Sequence, residues 1–152
     1  GDRVRFSGPF GDFAIKPGAN EKVFIGGGAG MAPLRSMIHA CLENGAKERV
    51  HYWYVARNVR EAPYIQEMSA LAEKYSNFSW HLVLSEEAEC GAGLLKGLVH
   101  EVAHETLLRD HPNLHACDFY LCGPPPMLGA TRQLLQRMGV AEDRVAFDDF
   151  KV

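Results

Sequence analysis

No run of apolar residues in this chain approaches the roughly 20 needed to cross a bilayer as a helix. No block of Lys and Arg occurs either. The 152 residues carry a net charge of −3, which argues against the basic face that grips nucleic acid. Cysteine is sparse. The four (Cys41, Cys90, Cys117 and Cys122) stand at irregular spacing without a C-x-x-C, so spacing signals neither a zinc ribbon nor a redox pair. A reduced compartment is the simpler reading. Gly-Lys-Ser/Thr is missing, which excludes a P-loop.

What is present starts with Gly26-Gly27-Gly28-Ala29-Gly30-Met31-Ala32-Pro33. It follows the apolar run Val23-Phe24-Ile25 and precedes Leu34, Met37, Ile38, Cys41 and Leu42 at helical spacing. The order is strand, glycine turn, helix. Glycines let an anion approach the backbone, and the helix start offers free N–H groups and a favourable dipole. Pro33 suits a first helical turn, where an N–H has no partner. The G-x-G-x-x-G spacing fails, because Pro33 and Leu34 stand where a further glycine is needed. Alone, such a turn is as often a tight connection as a ligand site.

The length suits one domain, and hydrophobic and charged fractions of 47% and 23% are those of a globular one. Residues 1–20 read as the tail end of a preceding domain plus a polar connector, Lys16-Pro17-Gly18-Ala19-Asn20. The nucleotide-binding domain is expected over 21–152, and the chain is expected to be a fragment. From Val23 onward strand and helix signals alternate. Strands are expected at 23–26, 50–56, 78–84, 119–122 and 145–147. Helices are expected at about 32–44, 62–75 and 98–109, with a fourth opened by Pro124-Pro125-Pro126 and stopped by Gly139. This is an α/β pattern predicting a doubly wound, five-stranded parallel sheet. Such sheets bind ligands at the carboxyl ends of their strands. The turn after strand one and the turn Cys122-Gly123-Pro124-Pro125-Pro126-Met127 both fall there. If those strands are neighbours, the two turns frame one crevice.

GGGAGMAP, CGPPPM and an aromatic near the carboxyl end resemble the ferredoxin–NADP reductase superfamily. Gly8-Pro9-Phe10-Gly11-Asp12-Phe13 resembles the segment that closes its flavin domain. Tyr54-Val55-Ala56-Arg57, Asn77-Phe78-Ser79-Trp80-His81, Asp110-His111-Pro112 and Asp148-Asp149-Phe150 look most like the NADH-oxidising (NqrF) family within the Na+-translocating NADH:quinone oxidoreductases. The resemblance implies a ferredoxin-reductase-like nucleotide-binding domain. Gly27, Gly28, Ala29 and Gly30 would cradle the pyrophosphate of NADH, with Met31, Ala32 and Pro33 leading into the helix. Cys122, Gly123, Pro124, Pro125 and Met127 would border the nicotinamide, with the thiol near the hydride-bearing carbon. Phe150 would lie over the flavin ring. Hydride would pass to FAD on a preceding domain, then single electrons to a [2Fe-2S] cluster on a ferredoxin-like domain, and on to quinone. The other components of a membrane complex are implied as partners, on the cytoplasmic side of the bacterial inner membrane. FAD and the cluster are not expected on this chain, which lacks the flavin-binding and cluster-binding motifs and should bind NADH without turnover.

In NADPH-using relatives a Ser-Arg pair after strand three grips the 2′-phosphate. Here the pair reads Ser85-Glu86, followed by Glu87 and Glu89. Carboxylates repel a phosphate and accept from ribose hydroxyls, which favours NADH. Arg57 and Arg60 are counter-evidence, unless they contact the pyrophosphate or the surface instead. Cys122 also has a plain reading as a packed apolar thiol. Phe150 also reads as a chain end, and Trp53 with Tyr52 and Tyr54 as strand core. Three rivals stand beside the main reading: the reductase component of a multicomponent oxygenase, a non-catalytic nucleotide sensor, and a metalloprotease. The last rests on His100-Glu101-Val102-Ala103-His104, an H-E-x-x-H match on an expected helix. No third ligand is evident in sequence, and no metal site is assigned.

Overall fold

A computed structural model describes residues 1–8, 10–87 and 93–149. Strands β1 (Lys22–Gly27), β2 (Val50–Ala56), β3 (Phe78–Leu84), β4 (Leu95–Lys96), β5 (Asp118–Cys122) and β6 (Val145–Asp148) form one sheet. Its order is β4-β3-β2-β1-β5-β6, and every pairing is parallel. Helices α1 (Met31–Glu43), α2 (Ile65–Lys74), α3 (Val99–Thr106) and α4 (Pro125–Arg137) make the crossovers.

The central strands are apolar on both faces because both are covered. Phe24, Tyr52, Tyr54, Tyr120 and Cys122 point toward α1 and α2, where Leu34, Ile38, Met68 and Leu71 meet them. Val23, Ile25, Trp53, Phe119 and Leu121 point the other way, onto Val99 and Ala103 of α3 and Leu128 and Leu135 of α4. Phe24 and Tyr120 stack across neighbouring strands with centroids 4.9 Å apart. A fully buried side chain of this size contributes about 1.5–3 kcal/mol, so the sheet is a rigid platform for the loops at its ends.

The doubly wound parallel architecture agrees with the sequence expectation, but among the described residues the sheet has six strands rather than five. The extra one, β4, has two residues, paired as Val83↔Leu95 and Leu84↔Lys96. A two-residue strand between Gly93 and Gly97 carries no readable period. The third helix also stops early, at Thr106, and a separate 3₁₀ turn over Leu108–Asp110 buries Leu108. Leu107 between them breaks the helix at φ −141°, ψ −54°. The apolar period runs through the break and hides it.

The connector is stitched to the amino-terminal edge of the sheet. Lys22 is only 2% exposed; its ammonium meets the Glu48 carboxylate and the carbonyls of Asn20 (3.0 Å) and Gly18 (3.4 Å). The Lys16 amide donates to the Tyr120 hydroxyl at 3.0 Å, and Asn20 donates to Asp118 at 3.2 Å. A buried charge is tolerable only with such partners.

Candidate nucleotide-binding site

β1 lies between β2 and β5, so the turns that follow β1 and β5 leave the same edge side by side. The register pairs Gly26 with Cys122. Beyond that pair the two backbones touch. A Cβ on Gly30 would stand 2.0 Å from the Cys122 carbonyl oxygen and 3.1 Å from the Gly123 nitrogen. A Cβ on Gly27 would meet Val55 at 2.9 Å and the Met127 sulfur at 3.1 Å. The absence of side chains in the turn is therefore a packing requirement before it is a ligand requirement.

The turn itself is a single 3₁₀ turn over Gly28–Gly30 that runs directly into α1. Gly28 takes φ +54° with nothing within 4 Å of where a Cβ would stand. Gly28, Ala29 and Ala32 are exposed at the lip, Pro33 is half-buried, and Met31 is buried beneath, its sulfur 3.5 Å from the Tyr52 hydroxyl. Among the described residues no side chain caps the start of α1, and no carboxylate lies in its first turn. The Met31 N–H is taken by the carbonyls of Gly28 and Ala29; the N–H groups after it have no side-chain acceptor, and the dipole of a 13-residue helix stands behind them. The Tyr54 hydroxyl donates to the Gly28 carbonyl at 2.9 Å and holds the turn from below. Sequence reading takes Tyr54 as strand core, and nothing in its position within β2 signals the bond to the turn.

The second turn has the opposite chemistry. Pro124 caps α4, and Pro125 and Pro126 fill its first positions. Three consecutive prolines supply no N–H donors. The next amides belong to Met127 and to Leu128, which donates to the Pro124 carbonyl at 3.1 Å. All three prolines are exposed. From them a cleft of about 390 Å³ runs across the carboxyl edge, between Pro124, Pro126, Met127 and Ala130 on α4 and Val55, Ser85, Leu98 and His100 opposite. Its Pro126, Leu98 and His100 walls are not among the expected site residues.

Cys122 is fully buried on the α1 side of the sheet. Burial pushes its thiol up to about 12, and the nearby Asp148 charge adds to that. It is therefore a neutral, apolar group under the crevice. Gly123 is likewise buried, against the backbone of Gly27. Phe150 and Glu89 lie outside the described residues.

At the far end of the cleft, Ser85 and Glu86 are exposed. Their amides donate to the carbonyls of Ala56 and Arg57, each at 3.0 Å, which splices the end of β3 to that of β2. Arg57, just after β2, is paired locally. Its guanidinium bonds Glu61 at 2.8 Å, and Glu61, then Glu86, hold its pKa above the usual value. Glu87 accepts from the Val59 amide at 3.3 Å. Arg57 is thus neutralised, and carboxylates dominate this end.

His100 and His104 lie one turn apart on α3, but among the described residues no third ligand atom lies within 4.8 Å of both. His104 instead contacts Glu105 at 3.2 Å. The H-E-x-x-H match lacks the closed ligand set that a zinc hydrolase needs.

A donor-rich helix start, an adjoining donor-poor apolar wall and an acidic far end fit a dinucleotide laid along the edge: pyrophosphate at the first, an aromatic ring at the second, a ribose diol at the third. Comparison with known proteins gives the family. The family of the oxidoreductase NAD-binding domain matches residues 24–133. The F subunit of the Na(+)-translocating NADH-quinone reductase of Marinomonas sp. (strain MWYL1) is 43% identical over 99% of this chain, and its counterpart in Pseudomonas aeruginosa (strain PAO1) 44% over 99%. The chain spans 37% of the length of each. Among solved structures, the Amycolatopsis cytochrome P450 reductase GcoB superposes with a TM-score of 0.82 at 26% identity, over 94% of this chain and 42% of that one. The ferredoxin reductase in carbazole 1,9a-dioxygenase gives 0.77 at 28%, over 95% and 42%. With the matched segment running from β1 into α4 and containing both turns, this chain belongs to the oxidoreductase NAD-binding domain family.

Proposed function

We propose that this chain is the NADH-docking domain of a flavin-dependent NADH:quinone oxidoreductase of the Na+-translocating type, corresponding to the nucleotide-binding end of its NADH-oxidising component. The observation that carries the reading is the contact of Gly30 with Cys122, which makes the two turns one site. Gly27, Gly28, Ala29 and Gly30 with the head of α1 hold the pyrophosphate. Met31 packs the turn from below, while Ala32 and Pro33 form its rim. Ser85 and Glu86 accept from the adenosine ribose hydroxyls, and Arg57, paired to Glu61, stays aside. Cys122, Gly123, Pro124, Pro125 and Met127 border the nicotinamide and offer it a dry, neutral surface. When bound, NADH supplies a hydride, which FAD on a preceding domain accepts; Phe150 is proposed to shield that flavin. The protein's own part is positioning and exclusion of water.

Residues 1–20 are proposed to be the tail of that flavin domain and its connector. Val4, Phe6 and Phe10 support this, being 78%, 93% and 81% exposed, an unusual cluster of bare apolar side chains that a neighbouring domain would cover. A [2Fe-2S] cluster on a ferredoxin-like domain of the same protein would then take electrons singly toward quinone and the other components of the complex. The assembly would sit on the cytoplasmic face of the bacterial inner membrane. No helix among the described residues is long and apolar enough to cross a membrane.

Stopped-flow reduction of flavin in the chain joined to its flavin domain tests the reading. NADH is expected to reduce the flavin faster than NADPH, and the 152-residue chain alone to bind NADH without turnover. Faster reduction by NADPH, or no reduction by either, overturns it. The reductase component of a multicomponent oxygenase is the second reading, favoured by the likeness to the carbazole-dioxygenase ferredoxin reductase. Electron delivery to an oxygenase ferredoxin in preference to quinone would select it.

A further inference from the structure

At the opposite edge of the sheet, Glu21, His111 and Cys117 present ligand atoms that all lie within 4.8 Å of one another. Glu21 immediately precedes β1, Cys117 immediately precedes β5, and His111 closes the 3₁₀ turn after α3. The His111 Nε2 lies 3.2 Å from Glu21 Oε1, and the Cys117 Sγ lies 3.9 Å from His111 Nε2. Two donors on one tetrahedral zinc, at about 2.0–2.3 Å each, stand roughly 3.3–3.6 Å apart. Those two separations lie near that edge length, and the third, between Glu21 and Cys117, is no more than 4.8 Å.

The cluster is also held in place from outside. His51 Nε2 contacts the same Glu21 oxygen at 2.6 Å, and its Nδ1 lies 2.7 Å from the Ser79 hydroxyl. With the hydroxyl donating to Nδ1, the Nε2 carries the proton and donates to the carboxylate. A carboxylate ligand oriented by a neighbouring imidazole is a common feature of metal sites. The side chains of His111 and Cys117 are 6% and 1% exposed, and Glu21 is 23% exposed. A cleft of about 300 Å³ bounded by Asn20, Glu21, Arg49, Asn113 and Cys117 leads to them from solvent.

We propose that Glu21, His111 and Cys117 form a binding site for a single Zn2+-type cation, completed by a water on the cleft side. A thiolate with an imidazole and a carboxylate suits a borderline-soft dication and not Mg2+ or Ca2+. Binding releases the thiol proton to solvent and moves the His111 proton from Nε2, where it faces Glu21, to Nδ1, which gives up the Asn113 amide it accepts from at 3.2 Å. The ion would tie the connector, the loop after α3 and the start of β5 into one clamp. β1 is six residues long, so at about 3.3 Å per residue the clamp lies roughly 20 Å from the glycine turn. It stabilises the platform and takes no part in hydride transfer.

Co2+ titration of the chelator-stripped, reduced chain tests this without any assay of turnover. One Co2+ per chain is expected, with a thiolate-to-metal band in the near ultraviolet that Zn2+ displaces, and with a higher Tm. Cys117→Ser is expected to abolish the band. Glu21→Gln, His111→Gln and His51→Phe are each expected to weaken binding by about tenfold or more. Circular dichroism checks folding; should Cys117→Ser not fold, Glu21→Gln decides. A His100→Gln/His104→Gln double variant is expected to bind normally. No band, a band that survives Cys117→Ser, or loss of binding in the His100/His104 variant alone overturns the proposal and leaves the cluster a hydrogen-bonded plug.

Discussion

The α-carbon of Gly30 packs under the carbonyl of Cys122 so closely that one added methyl would stand 2.0 Å from the oxygen. Backbone sits on both sides of this contact, so neither partner can give way cheaply. Gly30→Ala is expected to destabilise the chain by about 3 kcal/mol, the upper range for overpacking. For a domain of this size that lowers Tm by roughly 6–12 °C. Gly28→Ala meets no atom and costs only the left-handed backbone, about 1 kcal/mol. Thermal melts of the two variants check the difference, and equal losses would remove the packing argument.

Tyr54→Phe deletes the hydroxyl that fixes the Gly28 carbonyl and leaves the ring in place. Such a bond is worth about 1 kcal/mol. The NADH Kd is expected to rise about fivefold with little change in fold. Titration calorimetry measures it; an unchanged Kd would mean the turn holds its shape without Tyr54.

Carboxylates around Ser85 set the expected preference for a ribose diol over a 2′-phosphate. Glu86→Arg removes one and adds a cation beside the exposed Ser85. NADPH affinity is expected to gain about tenfold relative to NADH at low salt, and most of that gain should vanish near roughly 0.5 M salt. A gain insensitive to salt would point to a changed loop shape rather than charge.

With its thiol pushed up to about 12, Cys122 carries almost no thiolate near neutrality. Alkylation by iodoacetamide at about pH 8 is expected to be about 1,000-fold slower than for a free cysteine, as read by peptide mass spectrometry. Cys122→Ala is expected to slow flavin reduction in the flavin-joined protein while NADH affinity stays near that of the parent. Rapid alkylation would show an activated thiol, and unchanged reduction would take Cys122 away from the nicotinamide.

His81 stacks on Trp53 at 4.6 Å between centroids. Burial, then the nearby charge of His51, lowers its pKa from the ordinary 6.5. The unfolded chain therefore takes up this proton more readily than the folded one. Stability from this source is complete above about pH 6.5 and falls as pH drops below it. His81→Phe is expected to flatten the acid limb of a urea-midpoint profile between about pH 5 and 7; an unchanged slope would assign that limb to other groups.

Sequence alone reaches most of this fold because its strands and helices are long, strongly periodic and punctuated by glycine. β4 escapes, since two residues have no period. The two turns are legible as motifs, but their contact depends on β1 and β5 being neighbours, which the order of elements permits without requiring. Tyr54 escapes because an aromatic at a strand end looks the same whether it packs or donates. Glu21, His111 and Cys117 escape for a different reason: they are remote in the chain, and only the shared amino-terminal edge brings them together. The pairing of Arg57 with Glu61 is not legible either, because a charge four residues on can equally face solvent.

The run Pro124-Pro125-Pro126 also gives the crevice a direction. Of the two helix heads that flank it, one can satisfy an anion and the other has been stripped of the means to do so. The seat is thus asymmetric end to end, and a nucleotide inserted back to front would leave its charged bridge facing rings of carbon. On the proposed reading, the polarity of loading follows from three missing hydrogens.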